Sequence, residues 1–97
     1  MKLRFTQRAS RDLAAIGDYI GDNNPRAAGR VRAAILQTLQ LLVRYPQIGR
    51  AQTVEGVRKI VTRRYSYIIY YSVDANAQEV VVIAVQHPAR AREYTGQ

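Results

Sequence analysis

The sequence predicts an α+β domain in the order β-α-α-β-β-β, with a helical hairpin packed on one face of a small sheet. Three observations carry that prediction. Apolar residues recur at helical spacing between Leu13 and Leu42, and the pattern is interrupted once, at Asn24-Pro25. Beyond Val57 the helical period gives way to alternation, and the last element is an apolar run from Val80 to Val85.

Lys2 to Thr6 alternates around Leu3 and Phe5, as a short strand does. Thr6 or Ser10 then caps a helix carrying Leu13, Ile16 and Ile20 along one stripe, with Tyr19 beside it. That helix is expected to run out at Gly21-Asp22-Asn23-Asn24. Asn24-Pro25 restarts the chain, because Asn accepts from free N–H groups and Pro suits the first helical position. Ala28, Val31, Ile35, Leu39 and Leu42 line one face of the second helix. Leu36, Leu41 and Val43 broaden that face, so burial on more than one side is expected. Tyr45-Pro46 ends the helix, since a residue before Pro is pushed out of the α region. So short a linker, three or four residues, makes the helices an antiparallel hairpin.

Residues 46–56 read as a loop. Val57 to Thr62 is a strand, and Tyr65 to Val73 a second one built from strand-forming residues. In that second strand Tyr65, Tyr67, Ile69, Tyr71 and Val73 share a face, with Ser66, Ile68, Tyr70 and Ser72 opposite. Asp74 to Gln78 holds turn residues, and Glu79 to Val85 has the apolar continuity of a central strand. The last three strands form an antiparallel meander.

The chain, residues 1–97, reads as one domain without repeat or low-complexity linker. It has no cysteine, so neither a disulfide nor a thiolate metal site is available. One His and seven Asp+Glu argue against a buried metal centre, and no cofactor is expected. No segment approaches a membrane span, and Met1 to Phe5 has no signal-peptide character, so the expected address is cytoplasmic. Charge is the abnormal quantity: fifteen Lys+Arg give a net charge of +8, and thirteen of the fifteen are arginine. Between residues 26 and 64, nine basic groups face Glu55 alone. Arginine offers a planar fork to carboxylate and phosphate, so the excess implies an acidic or polyanionic partner. Charge by itself fits a nontoxic nucleic-acid-binding module.

An ordered set of motifs narrows this. Asp12-Leu13 and Ile16-x-x-Tyr19-Ile20 lie in the first helix, and Leu42-x-x-Tyr45-Pro46-x-x-Gly49-Arg50 closes the second. Gly56-Val57-Arg58-Lys59 follows, then Tyr67-Ile68-Ile69-Tyr70 with Asp74, then Val81 to Val85 running into His87-Pro88-Ala89-Arg90. Over essentially the whole chain this set resembles the RelE/ParE superfamily of toxins from type II toxin–antitoxin systems. The resemblance implies a growth-arresting toxin, neutralised in a hetero-oligomeric complex by a cognate antitoxin. RelE- and YoeB-like members are ribosome-dependent mRNA endonucleases, while ParE-like members resemble gyrase inhibitors. The nuclease branch typically carries Arg at the head of an Arg-hydrophobic-hydrophobic-Tyr run, where this chain has Tyr67. The ParE-like branch, with DNA gyrase as target and no catalysis of its own, is therefore favoured.

The resemblance also implies sites. For target binding these are Arg58, Arg63, Arg64, His87, Arg90 and Arg92. Were the chain a nuclease acting on ribosome-bound mRNA, the catalytic set would be Arg58, Arg63, His87, Arg90, Tyr94 and Glu55, with Glu55 and His87 as an acid/base pair. Antitoxin contacts fall to Arg26, Arg30, Arg32 and Tyr67. Each has a plainer alternative. His87 is either a titrating or phosphate-binding group or a strand-end histidine bonded to a backbone carbonyl. Arg58, Arg63 and Arg64 are either a clamp on the target or a charged strand edge that resists strand addition. Tyr65, Tyr67, Tyr70 and Tyr71 either stack on bases or pack half-buried with hydroxyls at the rim. Arg26, Arg30 and Arg32 gain nothing from the helix dipole, which points to a partner's carboxylates or to plain solvation.

Overall fold

The computed structural model describes residues 1–90 and 94–96. The elements are β1 (Lys2–Phe5), α1 (Gln7–Asn23), α2 (Pro25–Arg44), β2 (Arg50–Ala51), β3 (Val57–Val61), β4 (Ile68–Asp74) and β5 (Glu79–Gln86). A 3-10 turn, Pro88–Arg90, follows. The strands form one sheet in the order β1-β5-β4-β3-β2, parallel between β1 and β5 and antiparallel elsewhere. The α+β class, the helical hairpin and the meander of β3, β4 and β5 are as expected from sequence. The additional strand is β2, inside the stretch read as a loop: Arg50 and Ala51 pair with Lys59 and Arg58. Two residues leave no alternation to detect.

Thr6 caps α1, its hydroxyl oxygen accepting from Ala9 N–H at 3.1 Å. Where a linker of three or four residues was expected, Asn24 alone joins the helices. Its N–H donates to the Ile20 carbonyl at 2.7 Å, closing α1, while its side-chain oxygen accepts from Ala27 N–H at 3.1 Å, opening α2. The helix thus runs through Gly21 instead of ending there. α2 buries Val31, Ala34, Ile35, Thr38, Leu39 and Leu42 against the sheet. Leu36 (49% exposed) and Leu41 (39%) face outward, so the helix is buried on one side only. Among the described residues no second layer covers Leu36 and Leu41.

β4 starts at Ile68, three residues later than its composition suggested. Tyr65 (φ 68°) and Ser66 (φ 56°) lie in the left-handed region, which ends any strand for ordinary L-residues. Thr62, 2% exposed, holds this turn together: its hydroxyl donates to the Arg64 carbonyl at 2.6 Å and accepts from Tyr67 N–H at 2.9 Å. From Tyr67 onward the alternation holds. Tyr67, Ile69 and Tyr71 join Val80, Val82 and Val85 in the core beneath the helices. Tyr70 packs on the other face with Val57 and Ala84, where Ile68, Ile83 and Tyr94 adjoin it. Three of the four tyrosines are thus packing residues, and only Tyr65, 42% exposed, offers a free ring face.

Candidate functional site

His87 follows the last residue of β5. Its ring forms a T-shaped pair with that of buried Tyr67, with centroids 5.3 Å apart and planes at 89°. Nδ1 accepts from Ala89 N–H at 3.0 Å, and the His87 carbonyl accepts from Arg90 N–H at 2.9 Å. The imidazole therefore organises the turn Pro88–Arg90, a role neither sequence-based alternative described. The turn carries the Arg90 guanidinium to 5.9 Å above the ring of Tyr19 on α1, within cation–π range. On the far side Tyr94 packs on Tyr70 at 5.3 Å, and Arg8 lies 5.8 Å over the Tyr94 ring.

These groups bound two adjoining cavities that share His87 and Arg90. The larger, about 680 Å³, is lined by Arg8, Asp12, Gln86 and Tyr94 as well. The smaller, about 270 Å³, reaches Tyr19 and Tyr67. Asp12 stands 3.9 Å from Arg8, one helical turn away. Arg63 and Arg64 lie exposed in the β3–β4 turn at the same end of the sheet, because Val61, Ile68 and Gln86 are paired across the three strands. A cationic end with an aromatic floor results.

Two expected members belong elsewhere. Arg58 donates through Nη1 to the carbonyls of Gln47 (3.2 Å) and Gly49 (2.7 Å), stapling the loop after α2 to β3. Glu55 precedes Val57, which pairs with Ser72 and through it with Val81. That lies four residues, about 13 Å of strand, from the Val61 end. Glu55 and His87 are thus at opposite ends of the sheet and form no acid/base pair. Register decides this, and one-dimensional spacing does not reveal it. Arg92 lies outside the described residues. Tyr67 is 3% exposed and lines the smaller cavity beside His87. Arg26, Arg30 and Arg32 are exposed on the first turns of α2.

Sequence reasoning gave no role to Arg8 or Asp12, or to the groove between the helices. That groove, about 640 Å³, is walled by Leu13, Ile16, Ile35, Leu36 and Leu39, with Phe5 at its rim. Leu36, read from sequence as part of a broadened buried face, lies instead on its wall. Among the described residues no cluster of three His, Cys, Asp or Glu can hold a metal, and no helix is long and apolar enough to cross a membrane.

Burial pushes the Tyr67 hydroxyl above the ordinary tyrosine value near 10. It does the same at Tyr71, where the Gly49 hydrogen bond and the Arg58 charge pull the other way. Both hold their protons more tightly folded than unfolded. Their contribution to stability is complete below pH ~10 and is lost as pH rises through the raised values. An alkaline titration followed by tyrosinate absorbance and circular dichroism is expected to show a late phase coinciding with unfolding. Complete ionisation with the fold intact would contradict it.

A model of the family described as "ParE toxin of type II toxin-antitoxin system, parDE" matches residues 3–92. Toxin RelE2 of Caulobacter vibrioides is 36% identical over 86 residues, spanning 89% of this chain and 93% of that protein. A chain of the chromosomal ParDE system from P. aeruginosa superposes with a TM-score of 0.75 at 26% identity, over 90% of this chain and 95% of that one. A chain of the intact E. coli RelBE toxin–antitoxin complex shares the fold, with a TM-score of 0.70 at 23% identity, over 92% and 98%.

Proposed function

The chain belongs to the ParE toxin family of type II toxin–antitoxin systems, and from that premise we propose that it arrests growth in the cytoplasm by seizing DNA gyrase. The observation that carries this reading is the separation of groups an RNA-cleaving site would need. Glu55 lies at the other end of the sheet from His87, and Arg58 is engaged by loop carbonyls. Tyr67 is buried where the nuclease branch would place a cation. Cleavage through a 2′-hydroxyl requires a base, an acid and cations around one phosphate. What remains is a surface suited to gripping: Arg63, Arg64 and Arg90 around His87.

A cognate antitoxin keeps the toxin inactive in a hetero-oligomeric complex. Its seat in this reading is the apolar groove between α1 and α2, filled by an amphipathic segment. Arg26 and Arg30 stand on the same helix, and Arg32 lies in the lining itself, so acidic residues on that segment would find partners. Association would be fast and salt-sensitive.

A second reading, the RelE-like ribosome-dependent endonuclease, draws on a specific observation: His87, Arg90 and Tyr94 line one cavity. The name of the Caulobacter relative points the same way. The nontoxic module is left without support once the family is known, and induced expression without antitoxin tests it, since a module is tolerated and a toxin is not.

Purified protein assayed against gyrase supercoiling and against ribosome-bound mRNA separates the two. Inhibited supercoiling with intact mRNA is expected. The triple change Arg63→Ala, Arg64→Ala, Arg90→Ala is expected to weaken inhibition at least tenfold while leaving the circular dichroism spectrum unchanged. Cleaved mRNA with supercoiling untouched would replace this reading with the endonuclease.

A further inference from the structure

β5 carries one residue more than its ladder with β4 can use. Tyr70 is paired with Ala84 and Tyr71 with Val82, which leaves Ile83 without a partner in β4. One extra residue inverts the facing of everything after it. Val80 and Val82 belong to the core under the helices, whereas Ile83 and Ala84 both belong to the other face. Val85 then returns to the helix side, and His87, two residues on, follows it against Tyr67. In an unbulged strand, Ala84 and Gln86 would take the helix side and His87 would swing away from it.

Side chains hold the bulge. β1 ends at Phe5 opposite Val82, so beyond that point β5 has no strand on its β1 side. The Ile83 carbonyl accepts from the Thr6 hydroxyl at 2.8 Å. The Val85 N–H donates to Asp12 Oδ2 at 2.9 Å. Thr6 is also the cap of α1, which fixes where the helix lies relative to the bulge. A hydrogen bond to a charged acceptor is among the stronger ones, and losing it strands a half-buried N–H.

We propose that Asp12 is a positioning residue for His87: by accepting from Val85 it locks the bulged register that turns the imidazole toward Tyr67 and brings Arg90 over Tyr19. The inference rests on the gyrase-binding reading only for its activity arm, and its spectroscopic arm stands alone.

His87 is the single histidine of the chain, so its imidazole signals identify themselves in the full-length protein. In the wild type, neutral His87 is expected as the Nε2–H tautomer, with ring protons shifted by Tyr67. Asp12→Ala is expected to erase that shift, mix the tautomers and speed exchange of the Val85 amide tenfold or more. Asp12→Asn keeps an acceptor oxygen and is expected to keep the wild-type signature. Arg8→Ala removes the ion pair alone and is expected to keep it too. A folded Asp12→Ala with unchanged His87 signals and Val85 exchange overturns the proposal, as does loss of the signature in Arg8→Ala. Should Asp12→Ala fail to fold, the near-isosteric Asp12→Leu, which keeps the bulk and removes the acceptor, is read by the same criteria. In growth assays Asp12→Ala is expected to arrest at least tenfold less than Asp12→Asn. Full arrest with the His87 signature lost leaves the positioning role standing and overturns the target-surface reading instead.

Discussion

Gly49→Ala is expected to lower the free energy of unfolding by about 3 kcal/mol, the upper range for forcing atoms into a packed site. A Cβ on Gly49 would stand 2.5 Å from Tyr71 Oη, 2.7 Å from its Cε1 and 3.0 Å from the Lys59 carbonyl oxygen. None of these can retreat cheaply. Tyr71 is fully buried with its ring in the core, and Lys59 belongs to β3. Urea unfolding monitored by circular dichroism measures the effect as a fall in midpoint at constant slope. A loss below about 0.5 kcal/mol would mean that the loop after α2 does not press on Tyr71 as described.

Tyr71→Phe is the second large effect, about 2–3 kcal/mol. The hydroxyl accepts from Gly49 N–H at 2.8 Å and donates to the Pro46 carbonyl at 2.8 Å, both inside the tight turn that leaves α2. Phenylalanine preserves the ring but leaves the buried Gly49 N–H and the part-buried Pro46 carbonyl without this partner. The two changes are also coupled. The hydroxyl is the nearest atom to the added Cβ, so Tyr71→Phe removes part of the clash in Gly49→Ala while Cε1 keeps the rest. The double variant is expected to fall short of the summed losses by about 1 kcal/mol. Strict additivity would deny the contact.

The same cluster gives Arg58 a structural part that its place in the sequence does not announce. In sequence it is one more cation in a basic stretch, beside Lys59 and ahead of Arg63 and Arg64. Its neighbours across the ladder are Ala51 and Tyr71, and its Nη1 donates to the carbonyls of residues 47 and 49. Such a role depends on which residue lies opposite, and that is invisible before register is known. What periodicity encodes was legible: both helices, their buried stripe at Val31, Ile35, Leu39 and Leu42, and the alternation from Tyr67 to Tyr71. Features one or two residues long were not. The paired Arg50-Ala51, the double cap on Asn24, the left-handed Tyr65-Ser66 and the extra residue at Ile83 carry no period. They decide the site all the same. The surroundings of His87 come from α1, through Asp12 and Tyr19, and from the bulge beneath it.

The parallel pairing of β1 with β5 has a consequence for synthesis. Lys2 to Phe5 can find their places only beside Glu79 to Val82, so β1 must wait until β5 has been made. Contacts between such distant parts of a chain are slow to form, because the intervening loop must close first. On the ribosome the helical hairpin can assemble early, from neighbouring residues. The cap at Thr6 that reaches Ile83, the bulge and the turn that carries Arg90 cannot form until the C-terminal strand has emerged. Until then a nascent chain lacks the turn that places Arg90 over Tyr19. The toxin acquires that turn only after β5 has been made, which gives an antitoxin already present in the cell the time before then to be at hand.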